Sequence, residues 1–151
     1  MTLDLAVLAL HLLGVVVWIG GAAYQTHVLL PAAREGHVAL FAEAARRARP
    51  VTWAAVTVVV LTGFFNVTRL GPLERVIDSG AGLLLAGKFV LVVLAVACAG
   101  QRDFAQLTIL RAAVASGGDP APALRAIARL DRVVLVLALA MVWLGLAVSR
   151  A

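Results

Sequence analysis

The sequence predicts an all-α integral membrane protein, a bundle of four spanning helices with both termini outside. Three observations predict it. The 151 residues are 63% hydrophobic and 14% charged, with a mean hydropathy of +1.02, where a soluble domain carries about 25% charged residues. Four apolar runs occur, each close to the roughly 20 residues that cross the hydrocarbon core as a helix. The arginines gather in two of the three connections.

The runs cover about 3–30, 51–70, 81–100 and 133–149 and make one domain over 1–151. The opening of the first carries only Asp4 as charge. It lacks a basic leader and its apolar stretch is too long for a signal peptide, so it reads as a retained membrane helix. Its extra length predicts projection past the bilayer or a tilt. Pro31 and Pro50 bracket the first connection, and residues 32–49 read as a short amphipathic helix on the membrane surface. The second connection, Gly71–Gly80, is short and holds Gly71 and Pro72. The third run continues its helical pattern through 101–115 until Gly117-Gly118-Asp119-Pro120 breaks it. Asp119 and Pro120 suit the N-cap and first position of a helix leading into the fourth run.

Orientation follows from Arg34, Arg46, Arg47, Arg49, Arg102, Arg111, Arg125, Arg129 and Arg132, which fall in the first and third connections. Only Arg69, Arg75 and Arg150 lie on the other side. By the positive-inside rule the first group is cytoplasmic. The reading is a multi-pass protein of the inner (plasma) membrane whose partner is the lipid bilayer. The net charge of +5 is topogenic and, without interleaved aromatics, implies no nucleic acid. Cys98 is the one cysteine, which excludes an internal disulfide or a CxxC metal site.

His11 sits inside the apolar stretch 5–24, and Lys88 is the only charged residue between Ala81 and Gly100. A charge at the centre of a spanning helix costs roughly 2.5–3.5 kcal/mol on insertion scales. At roughly 1.5 Å per residue, His11 lies about 12 Å and Lys88 about 10 Å below the outer ends of their helices. Thr62, Gly63 and Asn66 on the second run, and Met141 and Trp143 on the fourth, come near the same level. The polar residues form a layer.

On the first helix His11, Gly14, Trp18, Gly21 and Gln25 share a stripe, and on the second Ala55, Thr62, Asn66 and Arg69 do. Gly14 and Gly21 let a helix or a flat ligand approach the backbone. His27 and Tyr24 face the other way, which makes His27 the weaker metal candidate. Two plainer readings stand beside these. His11 is a helix-joining histidine bonded to Thr62 or Asn66, and Lys88 snorkels to the headgroups.

Ala9-Leu10-His11-Leu12-Leu13-Gly14 through Trp18-Ile19-Gly20-Gly21, closed by Pro31, resembles the opening helix of the CopD family of copper-resistance membrane proteins. Leu61-Thr62-Gly63 resembles that family's threonine-glycine element, and Leu83-Leu84-Leu85 through Gly87-Lys88 its leucine-lysine helix. The resemblance spans about residues 7–105. The same His11, Trp18 and Lys88 pattern is similar to HemJ-type protoporphyrinogen oxidases, small membrane proteins that bind haem b. The resemblance implies a compact helical bundle using a membrane histidine and lysine around a metal or haem.

Three functions compete. In the first, a haem b has His11 as axial ligand, lies in a slot at Gly14, Trp18 and Gly21 beside Thr62 and Asn66, and pairs its propionates with Lys88 or Arg69. Lys88, Met141 or a histidine from a homodimer would be the sixth ligand. Such a protein transfers electrons to a redox partner or acts as a haem-dependent membrane oxidoreductase. The second is copper uptake or resistance, for which the donors are sparse: two methionines, one cysteine and three histidines at different depths. The third is a structural or assembly subunit without a cofactor.

Overall fold

In the computed structural model, residues 2–69 and 80–148 are described, with side chains over 3–69 and 82–146. The second connection, with Gly71, Pro72 and Arg75, and Arg150 near the C-terminus lie outside the described residues.

The first rod runs through α1 (Thr2–Tyr24), a π-helical turn (Gln25–Leu29) and α2 (Leu30–Arg34). Pro31 does not close it. A proline in the first turn of a helix loses no bond that the helix would have made, so α2 continues until Gly36. That residue holds φ +110, which favours glycine. Next comes α3 (Val38–Thr68), 31 residues without a break. The expected surface helix over 32–49 is therefore corrected: its residues divide between α2 and α3. Pro50 is inside α3 and exposed. Its ring leaves the carbonyl four residues back without a donor, on a face open to the surroundings.

The second half repeats this design. A rod of α4 (Gly80–Gly100), a second π turn (Gln101–Gln106) and α5 (Leu107–Ser116) stops at Gly117, whose φ is +68. Gly118 N–H returns to Ala113 O at 2.9 Å, closing the helix end. Asp119 Oδ1 accepts the Ala121 N–H at 2.9 Å, so the expected N-cap forms and starts α6 (Ala121–Val148).

The pairing of the helices is antiparallel. Along α1, Asp4, His11 and Gly14 meet Arg69, Thr62 and Val59 of α3 in turn. Along α4, Lys88 lies against Gly145 and Gly87 against Leu144 of α6, while Arg102 beyond it meets Asp131. Phe64 and Phe89 stack edge to face at 5.9 Å between α3 and α4, and Trp53 covers Gly100. Three helical segments, Leu3–Arg34, Val38–Thr68 and Gly82–Ser116, are long and apolar enough to cross a membrane. α6 adds the apolar run from Val133. This is a multi-pass membrane bundle.

Two cores hold it. Inside the apolar band, Trp18 packs with Ala55, Val56, Ala95 and Val134, flanked by Cys98 and Met141. Outward-facing Leu83, Val136 and Leu139 are exposed, as lipid-facing side chains are. At the arginine-rich end the helices outrun the apolar band, and Leu30, Phe41, Leu107, Leu110, Leu124 and Ile127 make a second core. There water supplies the driving force, about 1.5–3 kcal/mol for each large apolar side chain fully buried. Within lipid, close packing replaces it.

Candidate functional site

His11 is held on α1 by α3. Its ring Nδ1 is 2.9 Å from Thr62 Oγ1 and 3.1 Å from Val59 O. The Thr62 hydroxyl gives its own hydrogen to Val58 O. Its oxygen must then accept, so His11 Nδ1–H is the donor, shared between Thr62 and Val59. The lone pair therefore resides on Nε2, which takes no hydrogen bond among the described residues. An imidazole anchored through one nitrogen and bare at the other is how proteins present a metal ligand.

The chain allows this arrangement because Gly63 and Gly14 leave room beside the ring. His11 Cε1 is 3.4 Å from where a Cβ on Gly63 would lie. A Cβ on Gly14 would come 2.9 Å from Val59 Cγ2 and 3.3 Å from Ala55 O. Small residues bring α1 and α3 together until the imidazole reaches the neighbouring backbone.

Lys88 is half-buried, with Nζ 3.4 Å from the position a Gly145 Cβ would take. Its neighbour Phe89 meets Phe64, two residues from Thr62, which sets Lys88 at the same level. The polar layer thus includes His11, Thr62 and Lys88. Trp18 is buried deeper, at 3% exposure in the central core, with Met141 beside that core. Asn66 is one turn beyond Thr62 and makes no side-chain hydrogen bond among the described residues. Arg69 pairs with Asp4 at 3.1 Å and lies over the Phe65 ring. His27 is exposed, its Nδ1 turned back to Ala23 O, so it shares no site with His11. No group of three or more His, Cys, Asp or Glu side chains that could hold a metal occurs among the described residues.

The slot expected for a haem is not formed. The bare face of Gly14 is filled by Val59 and Ala55 of α3, and Gly21 has nothing within 4 Å to wall a ring. One hollow is walled by Arg34, Gly36, Pro120, Leu124 and Arg125, and another by Ala39, Glu43, Arg111 and Ala115. Both belong to the arginine-rich end, away from His11. Among the described residues no slot for a haem is found beside His11.

At that far end the second π turn places two buried charges, Arg102 and Asp103, against a third on α6, Asp131. Asp103, Asp131 and Arg102 are 1%, 3% and 7% exposed. Asp103 Oδ1 accepts from Arg102 Nη1, and its Oδ2 accepts the Trp53 indole N–H at 2.9 Å. Asp131 Oδ1 is 2.8 Å from Arg102 Nε, while Asp131 Oδ2 is buried without a donor. Arg49 Nη2 donates to Asp103 O, and its guanidinium covers Phe104. π turns are rare and concentrate at functional sites. The clue available in the sequence was an Arg-Asp pair two residues beyond an apolar run, facing an aspartate two residues before the next.

Residues 42–148 match the family described as CopD, copper resistance protein D. The chain belongs to the CopD family. The matched region holds nearly all of α3 and the whole of α4, α5 and α6, so it includes Thr62, Lys88 and the buried charge cluster but not His11. No curated protein and no solved structure matches the chain. Nothing in the match supports the HemJ-type side of the resemblance. For this CopD-family protein, the likeness over the fourth span is a finding that the sequence reading, resting on residues 7–105, did not contain.

Proposed function

We propose that this CopD-family protein handles copper in the inner membrane, taking the ion from the outer side at His11. The orientation, with both termini outside, rests on the arginine distribution. One observation carries the site: His11 donates through Nδ1 to Thr62 and Val59 and keeps Nε2 free. Family membership supplies the chemical class of the cargo.

Copper(I) accepts few ligands and favours soft or imidazole donors. Met141 and Cys98 both flank the Trp18 core. They give a copper ion a sulfur donor and then a second one deeper in the bundle. Single donors spaced along the helices suit passage better than storage, because an ion held by few ligands leaves readily.

The test is copper(I) binding to the purified full chain in detergent, by competition with a chromogenic chelator, together with an optical spectrum. Stoichiometric copper that is lost in His11→Ala supports the proposal. Protein purified with a Soret band and indifferent to copper would overturn it in favour of haem b. If neither copper nor haem binds and His11→Ala only unfolds more easily, the structural-subunit reading stands instead.

A further inference from the structure

We propose that Arg102, Asp103 and Asp131 form a proton-binding site in which Asp131 takes up and releases the proton. The site is independent of the copper reading, since it lies at the opposite end of the bundle from His11.

The two carboxylates are not equivalent. Asp103 has a donor on each oxygen, Arg102 on Oδ1 and Trp53 on Oδ2. Both of its oxygens are satisfied. Asp131 has the Arg102 guanidinium near Oδ1 only, and its Oδ2 is buried with no partner. A buried anionic oxygen without a donor is costly, and the cost disappears when that oxygen carries a hydrogen. Paired acids in unequal surroundings divide their roles in this way.

Charge balance points to the same residue. With Asp131 neutral, Arg102 and Asp103 compensate each other. With Asp131 ionised, the buried trio carries a net negative charge that one guanidinium must serve alone. From α3, Arg49 adds a positive charge beside Asp103, with Nη2 on the Asp103 carbonyl and the guanidinium over the Phe104 ring, but it forms no ion pair with Asp131 and leaves Asp131 Oδ2 without a donor. From the first π turn, which also packs on α6, Gln25 and Thr26 are buried and do not titrate, and His27 is exposed. Arg34 of α2, Arg111 of α5 and Arg129 and Arg132 of α6 are exposed. Burial pushes the Asp131 carboxyl up to about 6, against the pull of Arg102. The exchange moves one proton between water at the arginine-rich surface and Asp131 Oδ2, and no bond other than O–H forms or breaks.

Infrared spectroscopy of the full chain in lipid nanodiscs, titrated through that region of pH, tests the site. A carbonyl stretch from a protonated carboxyl is expected, shifted by 13C-aspartate labelling, lost in Asp131→Asn and kept in Asp103→Asn. In Asp131→Glu, which preserves the charge and guards against a misfolded Asn variant, the band should persist but ignore the aspartate label. A labelled wild type with no such band, or a band that survives in folded Asp131→Asn, would overturn the proposal.

Discussion

Gly14 of α1 faces Val59 of α3 so closely that an added Cβ would sit 2.9 Å from the valine Cγ2. Val59 is buried and β-branched, so it has little freedom to yield. Gly14→Leu should therefore destabilise the bundle by about 1–3 kcal/mol, the usual cost of overpacking. Gly21 has nothing within 4 Å, and Gly21→Leu should leave stability nearly unchanged. Thermal unfolding of the two variants in one detergent compares them directly. Equal losses would contradict the close approach.

Thr62 positions His11 without touching the proposed cargo site. Thr62→Val keeps the shape and removes the hydrogen-bond acceptor, while Val59 O stays in place. Loss of such an outer partner lowers metal affinity about 10–100-fold, and with Val59 retained the lower figure is expected. The measurement is copper competition on folded protein. An unchanged affinity would show that the ring orientation does not matter.

Trp53→Phe strips Asp103 Oδ2 of its donor in a buried setting. A hydrogen bond to a charged group contributes about 1.5–3 kcal/mol, so unfolding should become easier by that amount. Asp4 and Arg69 are both half exposed, and breaking their pair with Arg69→Ala should cost under about 1 kcal/mol. Chemical unfolding of the two variants side by side checks the contrast.

Stability should fall as the pH rises from 3.8 to about 6, and the sign follows from linkage. The folded protein holds the Asp131 proton up to about 6, while the unfolded chain releases it near the ordinary 3.8. Between these values the folded state binds more protons, so each step upward in pH favours unfolding. The contribution is complete below the lower value and gone above the higher one. Glu43 works the other way. Arg46 and Arg47 hold it down to about 2, so its effect is lost only in stronger acid. Unfolding midpoints at the two ends of the range measure the slope, which Asp131→Asn should flatten.

The long apolar helices, the helix stop at Gly117 and the Asp119 cap were legible because each is local: apolar length, a glycine, a carboxylate two residues before an amide. The His11 and Thr62 pairing was legible too, since both depth and helical stripe follow from regular geometry. Pro50 misled because a proline in an exposed helix face is tolerated, and exposure is a tertiary property. The Arg102 and Asp131 pairing escaped because a π turn alters which face a residue presents, and no periodicity announces it. The haem slot failed for a related reason. Glycines at Gly14 and Gly21 look alike in sequence, yet α3 claims the space beside one and leaves the other bare.

The π turn at Gln101–Gln106 also sets a phase. Each residue advances a helix by about 100°, so everything on one side of the turn is indexed against everything on the other by a single residue. Removing one residue from 101–106 would barely shorten the rod. It would let the turn close as an α turn with Leu107 and Leu110 still on the Phe41 and Ile127 core and Ala95 beside Trp18, because a π turn holds one residue more than the α turn it replaces. In this segment the extra residue serves the charge cluster of Arg102 and Asp103 and not the packing on either side of it.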